Sequence, residues 1–251
     1  MTFVKDPNAV IPEVIAGINN TLAAANTEPK VKRFVFTSSS TAASNPIPNK
    51  EFTIDEKTWN DETVERAWAP PPYKEGREWD VYGASKTQAE QALWKYVEEK
   101  KPHFEVNAVL PNANFGQIIN AKEQPGSTAG WITTIYEKGS EGLKSLQFIP
   151  PQWFVDVQDT ARLHVAALIN PSIKNERIFA YADVYTWNSI LAHLRKLKPD
   201  HKFPDDIADE SKDLSKVPPK ARAEEILRND FGLQGFTSLE QSLKANIAHL
   251  E

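Results

Sequence analysis

The chain is expected to fold as an α/β protein on a parallel sheet, and three features of its 251 residues say so. Short apolar runs (VKRFVFT, FEVNAVL and RIFAYAD) alternate with segments whose apolar residues recur at helical spacing. Inside the runs, apolar residues follow one another without a polar partner, as Phe34, Val35 and Phe36 do. Such a run suits a strand covered by helices on both faces. Prolines stand where helices should start or stop, at Pro12, Pro29 and Pro102.

In chain order, Ile11, Val14, Ile15, Ile18, Leu22 and Ala25 mark an amphipathic helix over residues 8–26, stopped by Pro29. Residues 32–37 form the first strand, which runs into hydroxyls at Thr37, Ser38, Ser39 and Ser40. Residues 44–79 are polar, proline-marked and tryptophan-rich, a long excursion with one short helix at 61–68; long irregular loops of this kind tend to be functional. A helix follows over 82–100 with Ala89, Ala92, Leu93, Tyr96 and Val97 as its inner face. Residues 104–110 give the second strand, which LPNANFG leaves through Pro111 and Gly116. Beyond it, WFVDVQDTARLHVAALI reads as a strand tip and a helix capped near Asp159. RIFAYAD is a third strand, residues 189–197 a helix, 199–219 a loop, and 221–229 and 238–250 the last helices.

Composition narrows the function. Hydrophobic residues at 40% and charged residues at 25% are ordinary for a globular protein. A formal charge of -5, with no basic stripe, argues against a nucleic-acid partner. No apolar run approaches a membrane span, the N-terminus lacks a signal-peptide layout, and cysteine is absent, so a cytoplasmic protein is expected. Five scattered histidines give no metal spacing, and no metal is expected.

One pair carries chemistry. Tyr82 and Lys86 stand four apart in YGASK, and residues four apart on a helix share a face. A nearby ammonium favours phenolate, which makes the phenol a usable acid or base near neutral pH. The spacing alone is common, and a solvated helix face is the bland alternative. Trp59, Trp68, Trp94 and Trp187 are read as packing, and His164 as an ordinary histidine.

Taken in order, KRFVFTSSS, YGASKTQAE and VLPNANFG resemble an extended short-chain dehydrogenase/reductase (SDR). The likeness is to fungal and yeast NADPH-dependent aldehyde or carbonyl reductases and to dihydroflavonol-reductase-like proteins. It runs from residue 6 to the C-terminus and includes PGSTAGWITTIY, PPQWFVDVQDTARLH and KFPDD. The resemblance implies that Ser39 hydrogen-bonds the substrate oxygen, with Ser38 and Ser40 as neighbours that could be confused with it. It makes Tyr82 the proton donor, and Lys86 its tuning partner and the residue holding the nicotinamide ribose. Pro111 and Gly116 would shape the turn beside a nicotinamide, should one bind. Ser40, Asn112, Phe115, Trp131 and Trp153 would face the substrate.

The same resemblance implies a Gly-x-x-Gly-x-x-Gly turn that no stretch of the 251 residues supplies. On that ground about 90 residues holding four strands would be missing, at roughly 30 per βαβ unit. The expected architecture is then a truncated Rossmann-like (SDR) parallel sheet with a mixed α/β C-terminal substrate lobe. Residues 1–116 hold the Ser-Tyr-Lys site, and 117–251 the remaining strands and the lobe. Losing three charge-assisted bonds to the nucleotide would cost about 5–9 kcal/mol, so no cofactor is expected for the chain as written.

Three functions stay open. The first is redox-neutral acid–base chemistry (isomerase, lyase or cyclase) on a carbonyl compound, aromatic or polyketide-like. The second is an NADPH-dependent aldehyde or ketone reductase whose N-terminal half is missing from this chain or supplied by a partner. The third is a non-catalytic binding module. The strand at 34–36 should lie at a sheet edge, and bare edges invite pairing. The expected partners are therefore a carbonyl-containing small molecule and a second copy or another chain covering that edge.

Overall fold

The unbroken apolar run at Phe34–Phe36 does lie in a strand, β1 (Arg33–Thr37). It pairs in parallel with β3 (Glu105–Pro111), Phe34 opposite Val106 and Phe36 opposite Ala108. The third strand, β6 (Arg177–Ala180), completes the order β1-β3-β6, so β1 stands at the end of the sheet. The computed structural model describes residues 4–250, and the chain gathers into two compact units. The first takes residues up to 45, 54–110 and 164–178; the second takes 46–53, 111–163 and 179 onward.

In the first unit, α1 (Ile11–Thr27) starts with Pro12 in its first turn, where a missing N–H costs nothing. α2 (Asp61–Trp68) and α3 (Arg77–Lys100) pack with it around Ile11, Ala67, Val81 and Ala84. α3 begins five residues before the expected start at Tyr82, and the reason is Arg77. Its buried guanidinium donates to the carbonyls of Lys5 at 2.9 Å and of Ala67 and Ala69 at 2.7 Å. It thereby satisfies the end of α2, whose last carbonyls have no partner within the helix. Gly83 lets α3 approach α2 closely: a Cβ there would lie 2.8 Å from Thr63 Cγ2. Asn107, fully buried in β3, donates to the carbonyls of Ala167 and Ile173 and accepts from the Glu176 amide at 2.9 Å.

The second unit has two small sheets. β5 (Gln152–Asp156) pairs in parallel with β4 (Ala113–Phe115) and antiparallel with β7 (Asp183–Tyr185). β2 (Glu51–Thr53), inside the excursion, pairs in parallel with β8 (Leu214–Lys216). Its core gathers Phe115, Phe154, Tyr185 and Trp187 with aliphatic side chains of α4 (Ala129–Leu146), α6 (Trp187–Leu197) and α8 (Leu239–Ile247). α7 (Lys220–Phe231) ends on Gly232 in the left-handed region. α5 (Val157–Ile169) starts two residues before the expected cap. Asp156 Oδ1 accepts from the Gln158 amide at 2.8 Å, while Asp159 is buried and accepts from Arg162 and the Thr237 amide. Among the described residues no helix is long and apolar enough to cross a membrane.

Candidate active site

β1 ends at the serines, and the ladder continues one residue further: the Ser38 amide donates to Val109 O at 2.8 Å. The three hydroxyls then part ways. Ser38 Oγ donates to Glu90 Oε2 at 2.6 Å, inside the protein. Ser39, extended and buried, caps the 3-10 turn Ser40–Ala42. Its Oγ accepts from the Thr41 amide at 3.3 Å and from Thr41 Oγ1 at 3.0 Å. Two acceptor sites filled leave the Ser39 proton to be donated elsewhere. Ser40 is buried in the same turn.

Tyr82 and Lys86 lie one turn apart on α3, both half-buried. Lys86 Nζ stands 3.5 Å from the carbonyl of Thr37, the last residue of β1, which brings the lysine to the strand end that carries Ser39. Thr87 Oγ1, one residue on, donates to Gly83 O at 2.9 Å and reaches Thr41 O at 3.4 Å. Burial pushes the Lys86 ammonium below its ordinary range, and the Glu90 carboxylate one turn away pushes it back up. His164 Nε2 lies 2.8 Å from Thr37 Oγ1.

The other expected site residues belong to the second unit. Pro111 ends β3. The Asn112 amide donates to Ala180 O, and its Oδ1 accepts from the Ala113 amide at 2.8 Å. Phe115 is fully buried, stacked 5.9 Å from Phe154 and edge-on 5.2 Å from Tyr185. Trp131 joins that cluster, 6.5 Å from Phe115 and 6.1 Å from Trp187. Trp153 has different neighbours: its Nε1 donates to Ser215 Oγ at 2.9 Å, and its ring lies 6.0 Å from Tyr181. Gly116 has φ +111°, and a Cβ there would meet Asp156 Oδ2 at 2.5 Å, so only glycine fits. Its amide donates to Asn246 Oδ1 at 3.2 Å. Burial holds the Asp156 carboxyl above its ordinary range, although Ser242 Oγ donates to it at 2.7 Å.

Two residues of the first unit were not foreseen. Glu90 is fully buried on α3, and Arg177 at the start of β6 pairs with it, Nε to Oε1 at 2.7 Å. A signal existed: Glu90 follows Ala89 on the inner face and lies four residues after Lys86.

Ser39 and Lys86 thus come to one strand end, and Tyr82 stands one helical turn from Lys86. The chain belongs to the NAD dependent epimerase/dehydratase family, whose model matches residues 2–180. It is 41% identical to aldehyde reductase 2 of Sporidiobolus salmonicolor over 245 residues, 97% of this chain and 70% of that protein. It is 40% identical to the ketoreductase adrE of Penicillium roqueforti over 93% of this chain and 67% of that protein. Among solved structures, the Candida albicans Gre2 in complex with NADPH aligns with a TM-score of 0.78 at 24% identity, over 98% of this chain and 72% of that one. The fold is thus α/β and Rossmann-like.

Two expectations change. The reading of the chain as lacking an N-terminal nucleotide-binding part finds no support in matches that run over 97% of it. The expectation of no cofactor is overturned, because the matched family is NAD dependent by description and the Gre2 structure with the shared fold holds NADPH. That expectation leaned on the absent glycine turn, which governs only the diphosphate end of a dinucleotide.

Proposed function

We propose that the protein is an NADPH-dependent aldehyde or ketone reductase of a reducing, cytoplasmic compartment, with Ser39, Tyr82 and Lys86 as its proton-transfer residues. The observation that carries this reading is the half-buried Lys86, its ammonium 3.5 Å from the Thr37 carbonyl and one helical turn from Tyr82. Relatives about 40% identical carry the names aldehyde reductase and ketoreductase.

NADPH, when bound, supplies the hydride. The Ser39 hydroxyl donates a hydrogen bond to the substrate carbonyl oxygen and so stabilises negative charge developing there. The Tyr82 O–H bond breaks as the proton moves to that oxygen, which completes the alcohol and leaves a phenolate. The Lys86 ammonium stabilises the phenolate, and the low-dielectric setting that depresses its own pKa strengthens that attraction. Lys86 is also the residue that would hold the ribose hydroxyls. No residue here is assigned to the diphosphate.

Fluorescence titration with NADPH, followed by assay against aldehydes and ketones, tests the reading. Saturable binding and alcohol formation matched by NADPH oxidation support it. Neither binding nor turnover would sink it.

We also propose that a second copy or another chain covers the outer edge of β1. A monodisperse monomer with fast amide exchange at Phe34, Val35 and Phe36 would count against that.

A further inference from the structure

We infer that Glu90 is a positioning residue, a buried carboxylate that joins the Ser39 turn to the Tyr82–Lys86 helix. This rests on the reading of Ser39, Tyr82 and Lys86 as the proton-transfer residues.

Glu90 has no exposed surface, and both of its oxygens are engaged. Oε2 accepts from Ser38 Oγ at 2.6 Å; Oε1 accepts from Arg177 Nε at 2.7 Å and Trp94 Nε1 at 3.1 Å. Each bond reaches a different element: Ser38 just beyond β1, Arg177 at the start of β6, and Trp94 one turn further along α3. Arg177 is anchored in turn. Its Nη1 donates to the carbonyls of Glu56 and Thr58, both at 2.8 Å, and its guanidinium lies 3.9 Å over the Trp59 ring. A fully buried carboxylate is costly unless it is paired and hydrogen-bonded, and this one is both.

Two consequences follow for the site. Glu90 fixes Ser38 and with it the backbone that presents Ser39. Its charge also lies one helical turn from Lys86 and opposes the loss of the lysine's proton caused by burial. The groups set around this pair are Ser38 and the Thr37 carbonyl from the β1 end, Arg177 from β6, and Tyr82 and Trp94 from α3. His164, on α5, is bonded to the Thr37 hydroxyl. Glu90 acts on Lys86 through its charge, and Arg177 acts on Glu90 as its ion-pair partner, which makes the device separable from mere packing.

The test compares Glu90→Gln and Arg177→Gln in the full chain. Lys86 is titrated by NMR of 13C-labelled lysine, assigned with Lys86→Arg, and the pH profile of kcat/KM is recorded beside it. Glu90→Gln removes the negative charge and leaves Arg177 uncompensated, so Lys86 should titrate lower, by roughly half a pH unit or more. Arg177→Gln leaves Glu90 uncompensated and should move it the other way. The high-pH limb of kcat/KM should follow each shift. Ser38→Ala keeps the ion pair, and it should lower kcat several-fold with little change in KM. Shifts of the same sign in both variants, or no shift in either, would overturn the inference, as would a Ser38→Ala enzyme with wild-type kcat. Should Glu90→Gln fail to fold, Arg177→Gln and Ser38→Ala still decide it. The NMR titration needs no turnover, so a wild-type protein inactive on every carbonyl would defeat the proposed function without touching this result.

Discussion

The interiors of the two units are built from different materials. On and around the helix that carries Tyr82 and Lys86, the first unit buries charge and amide: Glu90, Arg177, Arg77 and Asn107, with Ser38, Thr63 and Thr87. The second unit buries rings, with Phe115, Phe154, Tyr185 and Trp187 in mutual contact. Three of its buried polar groups, Asp156, Ser242 and Asn246, hold the Gly116 turn. A polar interior gives each group one satisfied geometry and little surplus stability. A ring-filled interior gives stability from area and contact. Both units bury aliphatic side chains, but the buried ion pair lies in the first and the ring cluster in the second.

The sharpest break of that contrast is chemical. Tyr82→Phe removes one hydroxyl from a half-buried position and should lower kcat by about 10²- to 10⁴-fold, the usual worth of a positioned acid, while the melting temperature stays near wild type. Assays of NADPH oxidation beside thermal unfolding check both halves. Wild-type turnover by the variant would remove the first unit's claim to the chemistry.

Trp187→Ala attacks the other interior. The ring is buried, packs against Trp131 and Tyr185, and donates Nε1 to Ile149 O at 3.0 Å. Loss of that volume should destabilise by about 3–5 kcal/mol, read by denaturant unfolding. Lys86 should titrate in the variant as it does in wild type.

How much of this was legible in the sequence depended on how local the cause was. α1, β1 and the α3 pair Tyr82–Lys86 were readable because period, proline and spacing are properties of a few neighbouring residues. α4 was not placed, and it holds Gly130, Gly139 and Gly142, each a poor helix former. In the fold Gly139 takes φ +52° and kinks the helix, while a Cβ at Gly142 would collide with the Thr134 carbonyl, so both glycines serve the packing. β2 and β8 are three residues each and exist only through pairing between residues more than 160 apart, helped by Glu51 and Lys216 at 3.2 Å. Glu90 stayed hidden for the same reason: a lone glutamate in a helix reads as solvated until Arg177, 87 residues on, is placed against it.

A smaller effect sharpens the packing side. Gly83→Ala places a methyl group where Thr63 Cγ2 would be 2.8 Å away, with Asn45 and Asn60 behind it. Overpacking of that size should cost about 1–3 kcal/mol. Because Gly83 follows Tyr82 directly, kcat should fall along with stability. A Gly83→Ala protein with full stability would show that α2 and α3 have slack, and that the first unit is less rigidly specified than its bonds suggest.

The smallest expected effect is a gain. Lys86 has a folded pKa lowered from 10.5, first by burial. Between the folded and unfolded values, the unfolded chain holds a proton that the folded chain has released. Stability contributed by this group therefore rises as pH climbs through that window. Below that window both states are protonated, and the folded protein carries the whole cost of a desolvated ammonium, reduced by the Glu90 attraction. Lys86→Met removes that cost while keeping most of the side-chain volume. It should melt slightly higher than wild type at neutral pH, with the advantage shrinking as pH approaches 10.5, and it should be inactive. Melting curves at stepped pH test the sign directly. A variant that melts below wild type at neutral pH would mean that the ammonium stabilises the fold, and the idea that the first unit holds its site at the expense of stability would fail at its central residue.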